Sequence, residues 1–149
     1  MVYSFLDVVA AIAGPGIAAN LASGAGVAEE GLTVTPIEDK NIMQIGADGK
    51  GQHSLIASDA GNFTVRILKT SPVNSLLMAA YLLQSSSSAL WGRNVISLTN
   101  PVTGDVTTFS QVAFKKKPEI TYAKEAGLNE WGFDAISVVT ILGIGTPEI

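Results

Sequence analysis

The amino-acid sequence predicts a mainly β fold, an antiparallel β-sandwich or barrel with one α-helix at about residues 72–84. Three observations predict it. Apolar and polar residues alternate with a period of two in several segments, turn residues separate those segments at short intervals, and one stretch has helical spacing. Because the chain has 149 residues and no segment of linker composition, we expect one domain over residues 1–149.

The strand pattern is clearest in residues 62–70, NFTVRILKT, where Phe63, Val65 and Ile67 share one face. The segments GLTVTPI, NVISLT and NEWGFDAISVV alternate in the same way. The residues from Tyr3 to Ile12 are apolar on both faces, as in a strand that is covered on both sides. Turn signals separate the strands at Gly14-Pro15-Gly16, Asp48-Gly49, Asp59-Ala60-Gly61, Asn100-Pro101 and Thr103-Gly104-Asp105.

The helix is predicted to begin after Ser71, which can cap it, with Pro72 at the first helical position. The serine run at 85–88 ends it. One face of this helix is expected to cover an open end or side of the barrel, and the other needs a second partner. The predicted buried stripe is Val73, Leu76, Leu77, Ala80 and Tyr81, and the apolar residues off that stripe are Met78, Leu82 and Leu83.

The composition points to extensive contact between subunits. Charged residues make up 15% of the chain, against about 25% in a typical soluble domain, and hydrophobic residues make up 47%. A glycine- and alanine-rich domain that is merely hydrophobic is the alternative, but large exposed apolar surfaces are rare in monomers. A net charge of −4 argues against tight binding of nucleic acid.

The segment Gly46–Gly51, GADGKG, raises the question of a phosphate-binding loop. Such a loop needs a defined glycine spacing and the start of a helix, and this segment has neither, so we interpret it as a turn between two strands. His53 is the only histidine and the chain has no cysteine, so a zinc site, a disulfide and a cofactor are not expected. We expect His53 to be a hydrogen-bonded structural residue.

Charged residues form short clusters along the chain. Glu29–Glu30 and Glu38–Asp39 are acidic, and Lys115–Lys117 is basic. Each cluster is either a solvated strand end or one half of a complementary contact between subunits, and the sequence leaves both open. Carboxylates are numerous enough for a glycosidase, but nothing pairs them, so no enzymatic activity is expected.

Two apolar segments have a length that suggests a signal peptide or a membrane span. The first 16 residues lack a basic start and are interrupted by Asp7. The span from Thr70 to Gly92 is consistently apolar only from Leu76 to Leu83, shorter than the ~20 residues a spanning helix needs. We therefore expect no membrane insertion and a soluble protein in the cytoplasm at synthesis.

Strings spread over nearly the whole chain resemble the tail tube proteins of contractile-tailed bacteriophages. They are GPG, GAGVAEEG, EDKNIMQIGADGKGQHS, LKTSPVNSLL, SSALWGRNVI, GDV, VAFKKKPEITYAK and NEWGFDA. The resemblance implies a small β-sandwich or barrel, similar to the ring-forming tube protein of type VI secretion. It implies hexameric rings whose sheets join edge to edge and which stack into a hollow tube for the genome. It carries no catalytic residues.

The same resemblance implies partners and a location. The chain would bind copies of itself, and the tail sheath, tape-measure, baseplate and tail-terminator proteins. DNA would pass through the lumen without specific binding. The protein would belong to the virion tail, after assembly in the host cytoplasm.

Stacking of the rings is expected to use the loops around Ser23–Gly31 and Glu38–His53, which are glycine-rich, polar at their tips and longer than hairpins require. The helix is expected at the outside of the ring or at the seam between neighbouring subunits. The residues predicted to make the contact between rings are Glu29, Glu30, Glu38, Asp39, Asp48, Gly49, Lys50, Lys115, Lys116 and Lys117.

Three alternatives stay open at this point: a type VI secretion-like tube protein, a β-sandwich binding module of a tail fibre or baseplate, and a small β-fold enzyme such as a glycosidase. The binding module would need an aromatic platform, but Trp91 and Trp131 lie in separate segments. The enzyme would need a catalytic constellation that the sequence does not display.

Overall fold

The computed structural model describes residues 3–4, 8–22 and 27–145, and it leaves out the side chains of residues 22 and 27–30. Strands dominate these residues, as the sequence predicts. They are β1 (Val9–Gly14), β2 (Ile17–Ala22), β3 (Val27–Pro36), β4 (Asn41–Ile45), β5 (Gly51–Leu55), β6 (Gly61–Leu68), β7 (Asn94–Asn100), β8 (Asp105–Lys116) and β9 (Leu128–Ile141), with helix α1 (Val73–Ser85) between β6 and β7.

Within the described residues, seven strands form one sheet, here called the main sheet, in the order β2-β1-β7-β8-β9-β6-β3. Every neighbouring pair in it is antiparallel. The predicted antiparallel β fold with a helix is thus confirmed. Strands β2 and β3 end the order, so among the described residues each has a strand neighbour on one side only.

The main sheet encloses its core because alternate residues point inward. Phe63, Val65 and Ile67 of β6 are buried on one face, as the period of two predicts. Aromatic rings pack against one another in this core. The ring centroids of Phe63 and Phe109 are 5.0 Å apart, and so are those of Phe114 and Phe133. Burial of such side chains is the main source of stability in a domain of this size.

The helix begins one residue later than predicted. Pro72, not Ser71, occupies the N-cap position: its backbone is helical, its carbonyl accepts the Ser75 amide at 3.2 Å, and proline has no N–H that would need a partner. The hydroxyl oxygen of Ser71 still accepts a hydrogen bond from the amide of Val73, at 3.4 Å. The serine run ends the helix as predicted, and the Ser86 amide donates to the Leu83 carbonyl.

Helix α1 covers the end of the core at which β6 and β8 finish and β7 and β9 begin. Near its start, the Asn74 side-chain oxygen accepts a hydrogen bond of 3.0 Å from the Trp131 ring nitrogen. Its last turn buries Gln84, whose amide nitrogen donates to the Pro15 carbonyl and to the Asn94 side chain, both at 2.9 Å. The Asn94 amide nitrogen donates in turn to the Gln84 side-chain oxygen and the Val112 carbonyl.

The first strand is shorter than predicted. The sequence places a strand covered on both faces from Tyr3 to Ile12, but β1 runs from Val9 to Gly14, and residues 1–2 and 5–7 lie outside the described residues. Ala10 and Ile12 are buried while Val9 and Ala13 are exposed, so the strand is covered on one face. No helix among the described residues is long and apolar enough to cross a membrane.

Candidate interaction surfaces

The most exposed structured part of the molecule is the hairpin formed by β4 and β5. These strands pair antiparallel from Asn41 opposite Leu55 to Ile45 opposite Gly51. Every residue of both strands is exposed, and the hairpin does not join the main sheet. An isolated two-stranded hairpin is at best marginally stable in water, so this exposed hairpin is a candidate surface for binding another chain.

The GADGKG segment is the turn of this hairpin, as predicted. The Gly46 amide donates to the Lys50 carbonyl at 2.8 Å, and the Gly49 amide donates to the Gly46 carbonyl at 3.0 Å. Gly49 adopts a φ of 82°, a left-handed conformation that favours glycine. Asp48 accepts the Lys50 amide at 3.1 Å. Because the segment joins two strands and precedes no helix, it lacks the arrangement that binds phosphate.

Cross-strand side-chain bonds hold the exposed strands together. The Gln52 amide nitrogen donates to the Gln44 side-chain oxygen at 2.7 Å. On the other face, the Asn41 amide nitrogen lies 3.1 Å from the Nδ1 atom of His53. His53 is therefore the hydrogen-bonded structural residue that the sequence predicts, and its contact sits within the hairpin.

The hairpin has two unlike faces, because side chains alternate along a strand. We call them the apolar face and the amide face. The apolar face carries Met43, Ile45 and Leu55, which are all exposed. It also carries Asn41 and His53, which bond to each other. The amide face carries Ile42, Gln44, Gln52 and Ser54.

The base of the hairpin is fixed to the end of the main sheet opposite helix α1. The Ile37 amide donates to the Ala60 carbonyl at 3.2 Å, next to the paired ends of β3 and β6. Lys40 forms an exposed ion pair with Asp59 at 2.8 Å. The Val138 amide donates to the Asp59 carbonyl at 2.9 Å, which ties the base to β9.

The structure distributes the predicted contact residues over several places. Glu38 and Asp39 lie at the base of the hairpin, and Asp48, Gly49 and Lys50 lie at its tip. The backbone of Glu29 and Glu30 belongs to β3, and their side chains lie outside the described residues. Lys115 and Lys116 end β8, and Lys117 follows it. The acidic residues of the hairpin and the lysines at the end of β8 therefore belong to separate parts of one subunit.

The two segments predicted as stacking loops are mostly strand. Residues 27–31 of the first segment form the start of β3, and residues 23–26 lie outside the described residues. Residues 41–45 and 51–53 of the second segment belong to the hairpin. Strand pairing thus extends into both segments, because glycine-rich sequence can pair as strand when bulges and turns absorb the glycines. Between Val27 and Leu32 the register of β3 on β6 does shift, and Gly31 there has a φ of 56°.

A second exposed surface lies on helix α1. Leu76, Ala79 and Leu83 share a face at helical spacing, and all three are exposed. We call them the helix stripe. The sequence predicts that Leu76 belongs to the buried stripe, and this is wrong. The buried residues of the helix are Leu77, Ala80 and Gln84. The sequence of the helix has more apolar residues than one buried face can hold, and this excess indicates an exposed apolar surface.

The face of the main sheet that points away from the core is polar on β6 and carries exposed apolar side chains on β7 and β9, such as Val95 and Ile136. On β6 it carries Asn62, Thr64 and Arg66. Arg66 lies 3.6 Å from Glu130 of β9 and donates to the Thr33 hydroxyl at 3.2 Å, so its charge is matched. We call this surface the outer sheet face.

A trough of about 1,070 Å³ lies between the base of the hairpin, the outward sides of β8 and β9, and the loop at Trp91. Asp59, Asp134 and Lys115 contribute its charged groups. No cluster of three or more potential metal ligands occurs among the described residues. The trough thus offers a mixed surface, with no arrangement of nucleophile and base that would identify a reaction.

The fold is similar to that of proteins from contractile injection machines. One chain is from the extended sheath–tube complex of the PVC extracellular contractile injection system, with a TM-score of 0.58, 12% identity and coverage of 93% of this chain and 90% of that one. A chain from the six-fold symmetrised baseplate of the anti-feeding prophage has a TM-score of 0.56 and 15% identity, with coverage of 92% of this chain and 93% of that one. A chain from the tube-terminating cap of that prophage has a TM-score of 0.55 and 10% identity, with coverage of 96% of this chain and 94% of that one. At these identities the likeness concerns the fold.

A family model decides the identity. No curated protein sequence matches the chain significantly. The model of the bacteriophage PhiTE tail tube protein, in contrast, matches residues 1–143. The antiparallel main sheet with one covering helix among the described residues agrees with the fold expected of such a subunit. The chain therefore belongs to the bacteriophage PhiTE tail tube protein family and is a structural subunit of a phage tail tube.

Proposed function

We propose that this tail tube subunit acts as one domain in hexameric rings that stack into a hollow conduit for the genome. The observation that carries the proposal is the hairpin of β4 and β5, whose residues are all exposed. A single chain leaves that surface uncovered, and a stack of identical chains can cover it on every subunit but the last. A ring order of six is supported by the six-fold symmetrised baseplate to which a similar chain belongs.

Closure of a ring is supported by the ends of the main sheet. Strands β2 and β3 each have one strand neighbour among the described residues, so each leaves backbone groups that another copy can pair. Heterologous contacts of this kind close into rings when the rotation allows it. Pairing β3 of one copy with β2 of the next would join the sheets edge to edge.

We propose that the outer sheet face lines the lumen. Its β6 side chains are polar, and the charge of Arg66 is matched by Glu130. With the charge of Arg66 matched, the β6 part of this face gives a duplex little to bind, and the net charge of −4 repels phosphates. DNA would then pass without specific binding.

Contact between rings is assigned to the hairpin and to the charged residues predicted for it. In this arrangement the tip of the hairpin, with Asp48, Gly49 and Lys50, reaches the neighbouring ring. Glu38 and Asp39 at its base, and Glu29 and Glu30 of β3, would face the lysines 115–117 of another copy. Complementary charges would fix the register between rings more than they add affinity.

The remaining partners are proposed from the assemblies that hold similar chains. Sheath, baseplate and tube-terminating components occur in those assemblies, and we propose their phage counterparts as partners here. A tape-measure protein would occupy the lumen during assembly in the host cytoplasm. The subunit of a tail tube belongs to the tail of the virion.

The direct test is negative-stain electron microscopy of the concentrated recombinant protein. Rings or hollow rods are expected, and a chain that stays monomeric at high concentration, and that is missing from the tail shaft of phage particles, contradicts the proposal. Deleting Gly46–Gly51 should shorten or abolish the rods while single rings persist. Rods of normal length from that variant would show that the tip of the hairpin makes no essential contact between rings.

A further inference from the structure

Two exposed apolar surfaces lie at opposite ends of the subunit. The hairpin leaves the molecule where β3 ends and β6 begins. Helix α1 lies at the other end of β6, where Ser71 bonds back to the Leu68 carbonyl and Asn74 bonds to Trp131. Head-to-tail stacking brings these two ends of neighbouring copies together, since it repeats one orientation along the axis.

Burial of the apolar face of the hairpin removes mainly apolar side chains from water. Its apolar members are Met43, Ile45 and Leu55. Its polar side chains, Asn41 and His53, already bond to each other at 3.1 Å. Desolvation therefore removes apolar surface from water and costs few hydrogen bonds.

The helix stripe has the matching properties. Helix α1 contains no charged residue, so covering Leu76, Ala79 and Leu83 desolvates no charge. From Leu76 to Leu83 the stripe rises over seven residue steps, about 10 Å at 1.5 Å per residue. The apolar face of the hairpin, from Leu55 to Ile45, covers about 14 Å at 3.4 Å per residue. The two surfaces are thus similar in length and in chemistry.

We propose that the apolar face of the hairpin docks on the helix stripe of a second copy of this chain in the adjacent ring. The proposal rests on the stacked rings of the proposed function and names the surface that receives the hairpin. It places the helix at the contact between rings, which departs from the sequence-based expectation of the outside or the seam. The amide face of the hairpin then stays toward solvent.

Crosslinking tests the contact directly, because the chain has no native cysteine. The test variant carries Ile45→Cys and Leu76→Cys, at positions that are 63% and 51% exposed. The control carries Ile42→Cys and Leu82→Cys, which are 49% and 58% exposed. Ile42 lies on the amide face, and Leu82 lies about 100° round the helix from Leu83.

Assembled rods of each variant are treated with a short bismaleimide and separated under denaturing conditions. We expect the test variant to give a ladder of multimers that continues beyond six chains, since each link joins one ring to the next. We expect the control to stay largely monomeric. A ladder that stops at six chains would place the contact within a ring and overturn the proposal. Equal crosslinking of the control, or normal rods of the test variant without a ladder, would also overturn it.

Charge substitutions provide a second measurement. Ile45→Lys and Leu76→Lys should each reduce the number of rings per rod at least tenfold, since they place a charge in a desolvated contact. Ile42→Lys and Leu82→Lys should leave rod length within twofold of the unsubstituted protein. Rods of normal length from both Ile45→Lys and Leu76→Lys would overturn the docking without touching the proposed function, which fails instead if the unsubstituted protein forms neither rings nor rods.

Discussion

The main sheet and the hairpin are both antiparallel β-structure, yet they use opposite means to hold their shape. The main sheet buries Phe63, Phe109 and Trp131 almost completely, and helix α1 covers one end of that core. The hairpin buries nothing and relies on backbone pairing and on bonds such as that between Gln44 and Gln52. If the hairpin makes the contact between rings as proposed, the difference means that stability and assembly are separable in this subunit. Substitutions in the first region should change the free energy of unfolding, and those in the second should change the length of the tube.

The largest expected effect is in the aromatic core. Trp131→Ala should lower the free energy of unfolding by about 3–5 kcal/mol, because it empties a large buried volume and removes the hydrogen bond to Asn74. Denaturant unfolding of the monomeric subunit measures it. Trp91→Ala, at a partly exposed ring, is the matched control and should cost clearly less. Equal losses would show that burial does not set the difference.

The second largest effect is expected when glutamine is replaced by methionine in the core, and the same replacement in the hairpin gives the comparison. Gln84→Met keeps the size of the side chain but leaves Asn94 and the Pro15 carbonyl short of a partner, at an expected cost of about 1–3 kcal/mol. Gln44→Met in the exposed hairpin should change the free energy of unfolding by less than about 0.5 kcal/mol. Denaturant unfolding of both variants measures the contrast, and a neutral Gln84→Met would mean that the buried network adds nothing.

Two glycines with nearly the same backbone conformation sharpen the comparison further. Gly16 and Gly49 have φ values of 78° and 82°, so alanine at either costs about 1 kcal/mol of backbone strain. At Gly16 the added Cβ would also overlap the Cδ2 atom of Leu83, whereas at Gly49 it meets open space. Gly16→Ala should therefore shift global unfolding. Gly49→Ala should raise amide hydrogen exchange within the hairpin alone.

The smallest effect is expected at the base of the hairpin. Lys40 and Asp59 form an exposed ion pair, and such pairs contribute about 0.2–1 kcal/mol. Lys40→Ala should lower the free energy of unfolding by no more than that, and the small loss should disappear at high salt as screening rises. A loss above 1 kcal/mol would indicate that the hairpin base supports the main sheet.

Local signals in the sequence predicted local structure well. The alternation in residues 62–70 gave the inward face of β6, and the Asp48-Gly49 pair gave the hairpin turn, because both depend on neighbours in the chain. The helix bounds differ from the prediction by one residue at each end. Pro72 took the cap position because its own ring, and not the Ser71 hydroxyl, sets the backbone there.

Properties that depend on distant partners were not predictable. The pairing of β9 with β6 joins segments far apart in sequence, with α1, β7 and β8 between them. Burial of Gln84 depends on Asn94 and Pro15, so a residue that marks the polar end of the helix in sequence lies in the core. Met43 and Ile45 share one face of β4 as core residues do, and their exposure follows from the absence of a covering layer in the described residues.

The order of strands in the main sheet determines how neighbouring copies must pair if they are to point the same way. Neighbours alternate, and the sheet has an odd number of strands in the described residues, seven, so β2 and β3 run the same way. Pairing β3 with β2 of another copy in antiparallel fashion would turn every second copy upside down. Parallel pairing keeps all copies upright. A wall built in the second way would have an unlike top and bottom, so the two ends of the proposed conduit would present different surfaces to their partners.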